Sequence, residues 1–600
     1  MKVPSSLAIA AAFAASSVAA LDAKFYGIIY DIHPSEFECK DFDTMTEDLK
    51  ILKGVTNNIR VYSTYFECIT TLLEVARKSD IKVWLGMWSD VETSIVHDGS
   101  EHKVVDRFPL DMADFKELVE DTEWIQNENI LGIQVSSDAL RRYYVEGPGS
   151  TTGSSDRRGI DTVLRHLKTV RSYLGDHNLT FPVVISDTMD MYSRFPELYE
   201  AVDLVAVTEH AYWDEISPED AAHYIFKQFQ EHQTRAKRVG KLIQLFETGW
   251  SSGGNMSDTV ASPLAQGVFT QDFLTLASRQ NLNAFFYAAF DLTYRTDDLE
   301  SHCGIHDVNR TLKPGVKAVH VGAPLQAVRL WAGDNVIKAH RYWNANDSVN
   351  ENFGRVYGAK PSVGPSGVLD DEIWLWDKES SNLYSKSSNQ CLESFGEGNT
   401  QALRMRQCSK DNRDQKWIVA NGNLASQNDA NFCVRVDVDP TTPDGNLVVD
   451  MSPCNEQRKH PISKFPVARE PLEIGIKTDG GVLTELSGKV TWQTTRQSNA
   501  ENHQWLYDPV AQNIKSASNN FCLDASKGMD GEHVALADCA PANENQKWDV
   551  NDITGQIHHA THIGFCLGAP DEVDEIVYLA WCDKDNANQQ WNVKLVNAKA

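Results

Sequence analysis

The first 320 residues alternate short apolar runs with segments of helical spacing, and this alternation constrains the fold more than any other feature. In the helical segment that begins at Cys68, the residues Ile69, Leu72 and Leu73 mark one apolar face. Strands that alternate with helices over about 300 residues have the size and rhythm of a (β/α)₈ TIM barrel. A doubly wound open sheet is the alternative, but no glycine-rich fingerprint follows the first run. The apolar runs are 25–30, 58–63, 82–88, 131–136, 182–187, 203–209, 242–247 and 283–290.

Two of these runs end in a carboxylate. The seventh run ends in Glu247, followed by Thr248-Gly249 and Trp250, and the fourth run is followed by Asp138. Catalytic groups of a barrel collect at the C-terminal ends of its strands, and strands four and seven lie across the mouth from each other. Two carboxyl groups that flank a glycosidic bond are the working parts of most glycoside hydrolases. The pattern therefore predicts one cleft that contains both carboxylates.

Residues 24–320 resemble the family 17 glycoside hydrolases, the β-1,3-glucanases, in their fungal and oomycete form. The most specific match is Phe246-Glu-Thr-Gly-Trp-Ser251, and the resemblance implies that Glu247 is the nucleophile of a retaining enzyme. Further matches are Tyr26-Gly27, Arg60–Ser63, Val83–Trp88, Pro196–Leu198, Ala201–Asp203 and Cys303–Asp307. The substrate-binding residues that the resemblance implies are Ser137, Tyr62, Trp88, Tyr212, Trp213, Trp250, Tyr287 and Asp291. For Tyr212 and Trp213 the role would be sugar stacking, and packing at the barrel rim is the alternative.

Strand four departs from the family pattern, in which Val-Gly-Asn-Glu supplies a glutamate as general acid. This chain has Val135-Ser-Ser-Asp138, so the acid would be Asp138, whose arm is shorter by one C–C bond, about 1.5 Å. Retaining enzymes hold the two carboxyl groups about 5–5.5 Å apart, and a displacement of about 1 Å can cost about a hundredfold in rate. Strand eight departs too, because Ala288 and Leu292 replace carboxylates of the fungal relatives and only Asp291 remains.

The residues leave three functions open. The leading prediction is an enzyme that hydrolyses β-1,3-glucan, in which Glu247 attacks the anomeric carbon and Asp138 acts as acid and then base. A catalytically impaired glucan-binding protein is the alternative that the departures favour. Transglycosylation, with a second glucan chain instead of water, would use the same residues. No cofactor is expected, and no motif resembles a phosphate loop or a metal-binding cysteine set.

The second half of the chain repeats itself at an offset near 131 residues. Trp374–Asp377 matches Trp505–Asp508, and Gln415-Lys-Trp417 matches Gln546-Lys-Trp548. A finer period near 40 recurs as Gln589-Gln-Trp591. Repetition at a fixed period is a strong signal of architecture. A repeated Cys…Cys…Gln-x-Trp module resembles the ricin B-type lectin β-trefoil, and each trefoil would take its third module from 325–372 or 466–508.

The lectin resemblance implies pairings and sugar sites. The third module of each trefoil is free of cysteine, and each of the other four modules would hold one disulfide, which stabilises by about 3 kcal/mol at this loop length. The implied pairs are Cys391–Cys408, Cys433–Cys454, Cys522–Cys539 and Cys566–Cys582. A carboxylate two residues after the first cysteine would bind sugar, and Glu393 and Asp524 fit that position. In the barrel, pairing of Cys39 with Cys68 would leave Cys303 free, but the sequence does not decide this connectivity.

Composition and targeting signals limit the partners. The net charge of -28 argues against nucleic acid, because phosphate binding needs clustered Lys and Arg, and is compatible with β-glucan or another cell-wall polysaccharide. Residues 1–20 read as a secretory signal, and no later stretch suggests a membrane span, so we expect a secreted, extracellular or cell-wall protein. His558-His-Ala-Thr-His562 is predicted to be a β-loop and not a zinc site. The predicted domains are a barrel at 21–322 and trefoils at 323–464 and 465–600.

Overall fold

A computed structural model describes most of residues 24–595. The internal residues it does not describe are 36–37, 98–99, 121–124, 126–127, 148, 150–155, 255–258, 293, 296, 318, 320, 322–325, 341–354, 362–369, 378–379, 387–389, 397–400, 407, 410, 440–444, 466–469, 477–480, 495–500, 509–510 and 552. The predicted secretory signal, much of the predicted module at 325–372 and part of the one at 466–508 therefore lie outside the described residues.

The apolar runs form a closed eight-stranded barrel, so the predicted fold class is confirmed. The strands are parallel and adjacent in chain order, and β8 closes the barrel on β1. The strands are β1 Gly27–Ile29, β2 Asn58–Arg60, β3 Lys82–Gly86, β4 Ile130–Ser137, β5 Val183–Thr188, β6 Val205–Thr208, β7 Ile243–Thr248 and β8 Ala284–Phe286.

Helices surround the barrel and bury the faces that the spacing predicts. In α2, Ile69, Leu72 and Leu73 are fully buried. An antiparallel hairpin of Thr93–His97 and Ser100–Val104 follows β3 and was not predicted. The helices are α1 Phe42–Leu52, α2 Phe66–Lys78, α3 Phe108–Glu120, α4 Ala139–Arg141, α5 Arg158–Asp176, α6 Met189–Arg194, α7 Glu197–Ala201, α8 Pro218–Arg238, α9 Pro263–Gln280 and α10 Pro314–Lys317, with a π-helical turn at Arg142–Glu146. No described helix has the length and apolar character to cross a membrane.

Aromatic side chains fill the inside of the barrel. Trp84 packs edge-on against Phe246 at a ring distance of 4.9 Å, and Phe246 contacts Phe285 at 5.5 Å. A Cβ at Gly132 would lie 2.0 Å from the Trp84 ring, so the glycine of β4 makes room for that indole. The filled interior leaves the C-terminal mouth for polar side chains.

The second half consists of antiparallel strands in two regions, as the β-trefoil prediction requires. The first region contains Gln326–Val328, Trp331–Ala332, Asn335–His340, Arg355–Ala359, Trp374–Asp377, Asn382–Ser385, Cys391–Phe395, Gln401–Arg406, Trp417–Ala420, Asn423–Ser426, Phe432–Asp437, Leu447–Pro453 and Lys459–Pro461. The second contains Glu470–Ile476, Val482–Leu486, Lys489–Gln493, Trp505–Asp508, Asn513–Ser516, Cys522–Asp524, Ala535–Ala537, Trp548–Asn551, Gln556–His559, Phe565–Gly568, Tyr578–Trp581 and Trp591–Leu595.

Tryptophans of the repeated modules make the same hydrogen bond, from the indole N–H to a backbone carbonyl of the same module. The indole N–H of Trp548 donates to the Leu523 carbonyl at 3.0 Å, and that of Trp591 donates to Leu567 at 2.9 Å. In the cysteine-free module, Trp505 donates to Leu483 at 3.0 Å. The first region repeats the contact through Trp417 to Leu392 and Trp374 to Ile337. The tryptophans are therefore structural.

The four disulfides that the lectin resemblance implies all form: Cys391–Cys408, Cys433–Cys454, Cys522–Cys539 and Cys566–Cys582. In the barrel, where the sequence left the pairing open, Cys39 bonds to Cys68 and Cys303 is free and buried.

The second trefoil packs against two helices of the barrel. Asn551 donates to the Lys227 carbonyl of α8 at 2.9 Å and to the Gln230 side chain at 3.0 Å. Asp549 accepts from Gln230 at 3.3 Å and from Gln280, the last residue of α9, at 3.4 Å. These contacts connect the lectin-like domain to the helices on either side of β7.

Candidate active site

Glu247 lies at the C-terminal mouth of the barrel in a cage of donors. Its Oε2 accepts from Arg60 Nη1 at 3.1 Å and from the Tyr62 hydroxyl, and its Oε1 lies 3.2 Å from His210 Nε2. Burial by itself raises the pKa of Glu247, but the hydrogen bond from His210 and the charge of Arg60 outweigh it and lower the pKa to about 2. The carboxylate is therefore ionised at neutral pH, as a nucleophile must be.

Arg60 is the residue on which this cage depends. Its guanidinium is fully buried and crosses the barrel, where it donates to the Gln134 side chain at 2.6 Å, the Phe246 carbonyl at 2.6 Å and the Ser137 hydroxyl at 3.1 Å. Arg60 belongs to one of the family matches in the sequence, but no role was predicted for it. A cation in the middle of an apolar strand was the available signal, because such a residue is almost never buried without a partner.

Asp138 stands immediately after β4 and is held from three sides. Its backbone N–H donates to the Ser186 carbonyl at 2.9 Å, Thr208 Oγ1 donates to its Oδ1 at 2.8 Å, and Ser137 Oγ donates to its Oδ2 at 3.4 Å. Its φ of 50° lies in the left-handed region. Burial raises the pKa of Asp138, and the negative charge of Glu247 raises it further. These shifts favour the protonated form that a general acid needs.

The structure brings the two predicted carboxyl groups into one site. Arg60 bonds to Glu247 and to Ser137, whose hydroxyl in turn contacts Asp138. The environments push the two pKa values in opposite directions, downward for Glu247 and upward for Asp138. Opposite pKa shifts in two neighbouring carboxyl groups are typical of a general acid paired with a nucleophile.

A second arginine, Arg142, joins the ends of β3 and β4. It donates to the Ser137 carbonyl at 2.6 Å and to the Ser89 carbonyl at 2.9 Å, and it pairs with Asp90 at 2.8 Å. Its guanidinium covers the predicted substrate-binding residue Trp88 at 4.3 Å from the ring. Arg142 was missed, because it follows the strand inside an irregular turn where sequence spacing carries no signal.

The predicted aromatics differ in exposure. Trp213 has 55% of its surface exposed, whereas Tyr212 has only 6% and lies between Trp213 and Trp250, at ring distances of 5.1 and 5.8 Å. Trp250 is fully buried, and its indole donates to the Val260 carbonyl at 2.9 Å. The prediction that Trp250 contacts sugar is therefore wrong, because its ring is fully buried and packs against Tyr212.

Of the remaining predicted barrel residues, Tyr62 and Tyr287 lie beside Glu247 and His210, and Asp291 lines a separate pocket with His33 and Arg310. Tyr62 contacts Glu247 and lies edge-on to Trp88 at 6.2 Å. Tyr287 is nearly buried, with its ring 6.1 Å from that of His210. Asp291 is paired with Lys313 at 2.7 Å and accepts from the Gly304 N–H at 3.1 Å, so its charge is already neutralised.

Another carboxyl group, Glu209, follows β6 next to His210. Its backbone N–H donates to the Glu247 carbonyl at 3.0 Å. Burial and then the charge of Asp214 raise the pKa of Glu209 to about 7. The mouth of the barrel therefore contains a further buried carboxyl group, Glu209, that was not predicted.

The two predicted lectin carboxylates have different surroundings. Glu393 is buried and pairs with Arg404 at 2.6 Å, and it also accepts from Asn412 and Gln415. Asp524 accepts from Asn543 at 2.9 Å and from Gln546 at 3.0 Å, both through Oδ2. The module glutamine thus holds the carboxylate in both modules, but only Glu393 has its charge neutralised by an arginine.

The histidine-rich segment consists of the end of a strand and the turn after it, in which Ala560 to His562 lie. His558 and His559 belong to Gln556–His559, and burial lowers the pKa of both to about 3. Among the described residues, one cluster has the spacing of metal ligands, His558 with Cys566 and Cys582. Those cysteines are bonded to each other, so they offer no thiolate.

A barrel with two carboxyl groups at its mouth, one with a lowered pKa and one with a raised pKa, followed by trefoils, has the arrangement of a modular carbohydrate-active protein. Residues 27–304 match the family model of the BtgE/BtgC glycoside hydrolase domain, and residues 476–591 match that of the ricin-type beta-trefoil lectin domain. The chain therefore carries a glycoside hydrolase domain followed by a ricin-type lectin domain.

Curated relatives match over the barrel. The probable glucan endo-1,3-beta-glucosidase btgC of Aspergillus fumigatus is 26% identical over 303 residues, which cover 47% of this chain and 40% of the relative. Glucan endo-1,3-beta-glucosidase btgC of Emericella nidulans is 23% identical over 309 residues, covering 48% of this chain and 44% of the relative. The chain thus spans less than half the length of these relatives. Among solved structures, a family 17 beta-1,3-glucanosyltransferase from Rhizomucor miehei is 25% identical, with a TM-score of 0.40 over 50% of this chain and 98% of that one.

Proposed function

We propose that this protein hydrolyses β-1,3-glucan by the retaining mechanism, outside the cell. Glu247 attacks the anomeric carbon, and Asp138 protonates the leaving oxygen and then activates the water that releases the sugar. The observation that carries the proposal is the opposite shift of the two pKa values within one network. Relatives named glucan endo-1,3-beta-glucosidases support the substrate class.

The geometry favours Glu247 as the nucleophile and Asp138 as the acid, not the reverse. Arg60, Tyr62 and His210 all donate to Glu247 and keep it ionised. Asp138 accepts only from hydroxyl groups, Thr208 and Ser137, and has no direct ion pair among the described contacts. A hydroxyl donor stabilises an anion less than a guanidinium does, so Asp138 holds its proton more readily.

The lectin-like modules would hold the enzyme on cell-wall polysaccharide. A bound trefoil raises the local concentration of glucan at the barrel without any new contact in the cleft. Five disulfides support an oxidising, extracellular setting, which agrees with the predicted signal.

The test is incubation of the purified protein with laminarin, a soluble β-1,3-glucan. Wild type is expected to release short oligosaccharides with retained anomeric configuration, and Glu247→Gln is expected to release none. Glu74→Gln, an exposed glutamate on α2 that pairs with Lys78, is the matched control and should keep wild-type activity. Absence of release by wild type at high enzyme loading would reject the proposal.

A glucan-binding protein without turnover is the second candidate, and the short arm of Asp138 favours it. Asp138→Glu combined with Ser137→Asn distinguishes the two. A large gain in rate would show that the wild-type acid is misplaced, whereas a loss would show that this barrel is adapted to aspartate. Transglycosylation is recognised by products longer than the substrate.

A further inference from the structure

Asp187, at the end of β5, is a buried carboxylate that the proposed chemistry does not use. It is fully buried. Its Oδ2 accepts from the Leu140 N–H at 2.8 Å, and its Oδ1 accepts from the N–H groups of Arg141 at 3.2 Å and Thr188 at 3.0 Å. Among the described residues, the hydrogen bonds to this carboxyl group therefore all come from the backbone.

These contacts hold the turn that carries Asp138. Leu140 and Arg141 belong to α4, whose first residue follows Asp138 directly, so their N–H groups lack partners within the helix. Asp138 adopts a left-handed φ of 50°, a backbone conformation that residues other than glycine rarely adopt. Asp187 fixes the backbone after this residue, while Ser186, its neighbour on β5, accepts the N–H of Asp138 itself at 2.9 Å.

The position of Asp187 is electrostatically unfavourable. Burial raises the pKa of Asp187 to about 8, and the charge of Asp138 contributes to the rise. A carboxyl group in such a place weakens the native state at neutral and alkaline pH, and perturbed carboxyl groups of this kind cluster at functional sites.

We propose that Asp187 is a positioning residue that aims the shortened acid Asp138 into the cleft. The left-handed turn moves the carboxyl group by rotating the backbone, which compensates for the missing methylene of the side chain. This inference rests on the proposed function, because it assumes that Asp138 is the general acid.

Substrates with different leaving groups test the proposal. An aryl β-1,3-glucoside with an acidic phenol leaves without protonation, whereas a sugar leaving group needs the acid. Asp187→Asn is expected to lower kcat/KM for laminarin at least tenfold and to leave kcat/KM for the aryl substrate within about threefold of wild type, because kcat/KM reports the first step, before Asp138 activates water. Asp138→Asn should show the same selective pattern.

Asp203→Asn is the matched control. Asp203 accepts from the Val183 N–H at 2.9 Å, at the opposite end of β5, and should affect neither substrate. If Asp187→Asn is poorly folded, Asp187→Ser keeps one acceptor for the helix N–H groups and should show a weaker form of the same selectivity. Equal losses on both substrates, or none, in an active wild-type background would overturn the inference and leave the proposed function intact. A wild type inactive on both substrates would overturn both.

Discussion

At the scale of single residues, the buried cation Arg60 helps to determine the ionisation state of Glu247. Arg60 contacts Glu247, the proposed nucleophile, and Ser137, which precedes the proposed acid, and no solvent reaches its side chain. Burying a guanidinium is unfavourable unless its donors are used, and here they bond to Gln134, Phe246, Glu247, Ser137 and, at 3.5 Å, Ser186. The arrangement therefore keeps Glu247 charged and keeps the strands that carry both carboxyl groups in register.

Replacement of Arg60 tests this account. Arg60→Met leaves Glu247 buried without its cation, so we expect a loss of about 3–5 kcal/mol in the free energy of unfolding, together with a higher pKa for Glu247. In wild type the low pKa of Glu247 stabilises the fold above about pH 4.5, and this contribution is lost as the pH falls towards 2. Denaturant titrations at several pH values should show a smaller acid dependence in the variant. Arg171→Met, which removes an exposed pair with Asp203, should cost no more than about 1 kcal/mol.

Trp213 is the predicted aromatic best placed to stack on a sugar, because more than half of its surface is exposed. Trp213→Ala is expected to raise KM for laminarin roughly five- to tenfold with little change in kcat, since stacking of about 1 kcal/mol stabilises bound substrate and transition state alike. Steady-state kinetics check this, with Trp213→Phe as the conservative control. A fall in kcat at unchanged KM would contradict a pure binding role.

At the scale of secondary structure, the ends of strands carry the chemistry. Asp138 follows β4 and Glu247 is the penultimate residue of β7, and their placement could be predicted because strand order in a barrel fixes which ends oppose each other. Trp250 could not be placed correctly, because a motif gives the residue but not the direction of its side chain. Asp187 and Arg142 were missed for a related reason. Both act through contacts with the backbone around the left-handed residue Asp138, and the spacing of apolar residues in the sequence does not predict such a turn.

The module tryptophans test the trefoil repeat at this scale. Trp548→Phe removes the indole N–H that satisfies the Leu523 carbonyl and leaves a small void, so the lectin domain should lose about 2–4 kcal/mol of stability. Calorimetry of the full chain should show a lowered lectin transition with an unchanged barrel transition. Lowering of both transitions would mean that the two domains unfold as one unit.

At the scale of the whole molecule, the barrel and the second trefoil meet around a buried acid. Asp549 accepts from Gln512 at 2.6 Å in its own domain and from Gln230 and Gln280 of the barrel. Lys227 and Arg279 are the cations that act on it, and Asp272 and Asp508 act on Arg279. Burial raises the pKa of Asp549 to about 6 despite these donors and cations.

The contact between the domains should therefore depend on pH. Because the docked state raises the pKa of Asp549, docking binds a proton and weakens as the pH rises from about 4 to about 6, by roughly a hundredfold in the docking equilibrium. Small-angle scattering and limited proteolysis at pH 4.5 and 7 should show a looser arrangement at the higher pH. Asp549→Asn should remove the difference, and the exposed control Asp571→Asn should not. A pH-independent arrangement in wild type would contradict the prediction.

The two barrel helices under the second trefoil, α8 and α9, precede and follow β7 in the chain, and Glu247 is the penultimate residue of β7. A load on the second trefoil would therefore reach the pair of helices that flanks the strand of Glu247, without passing through the cleft.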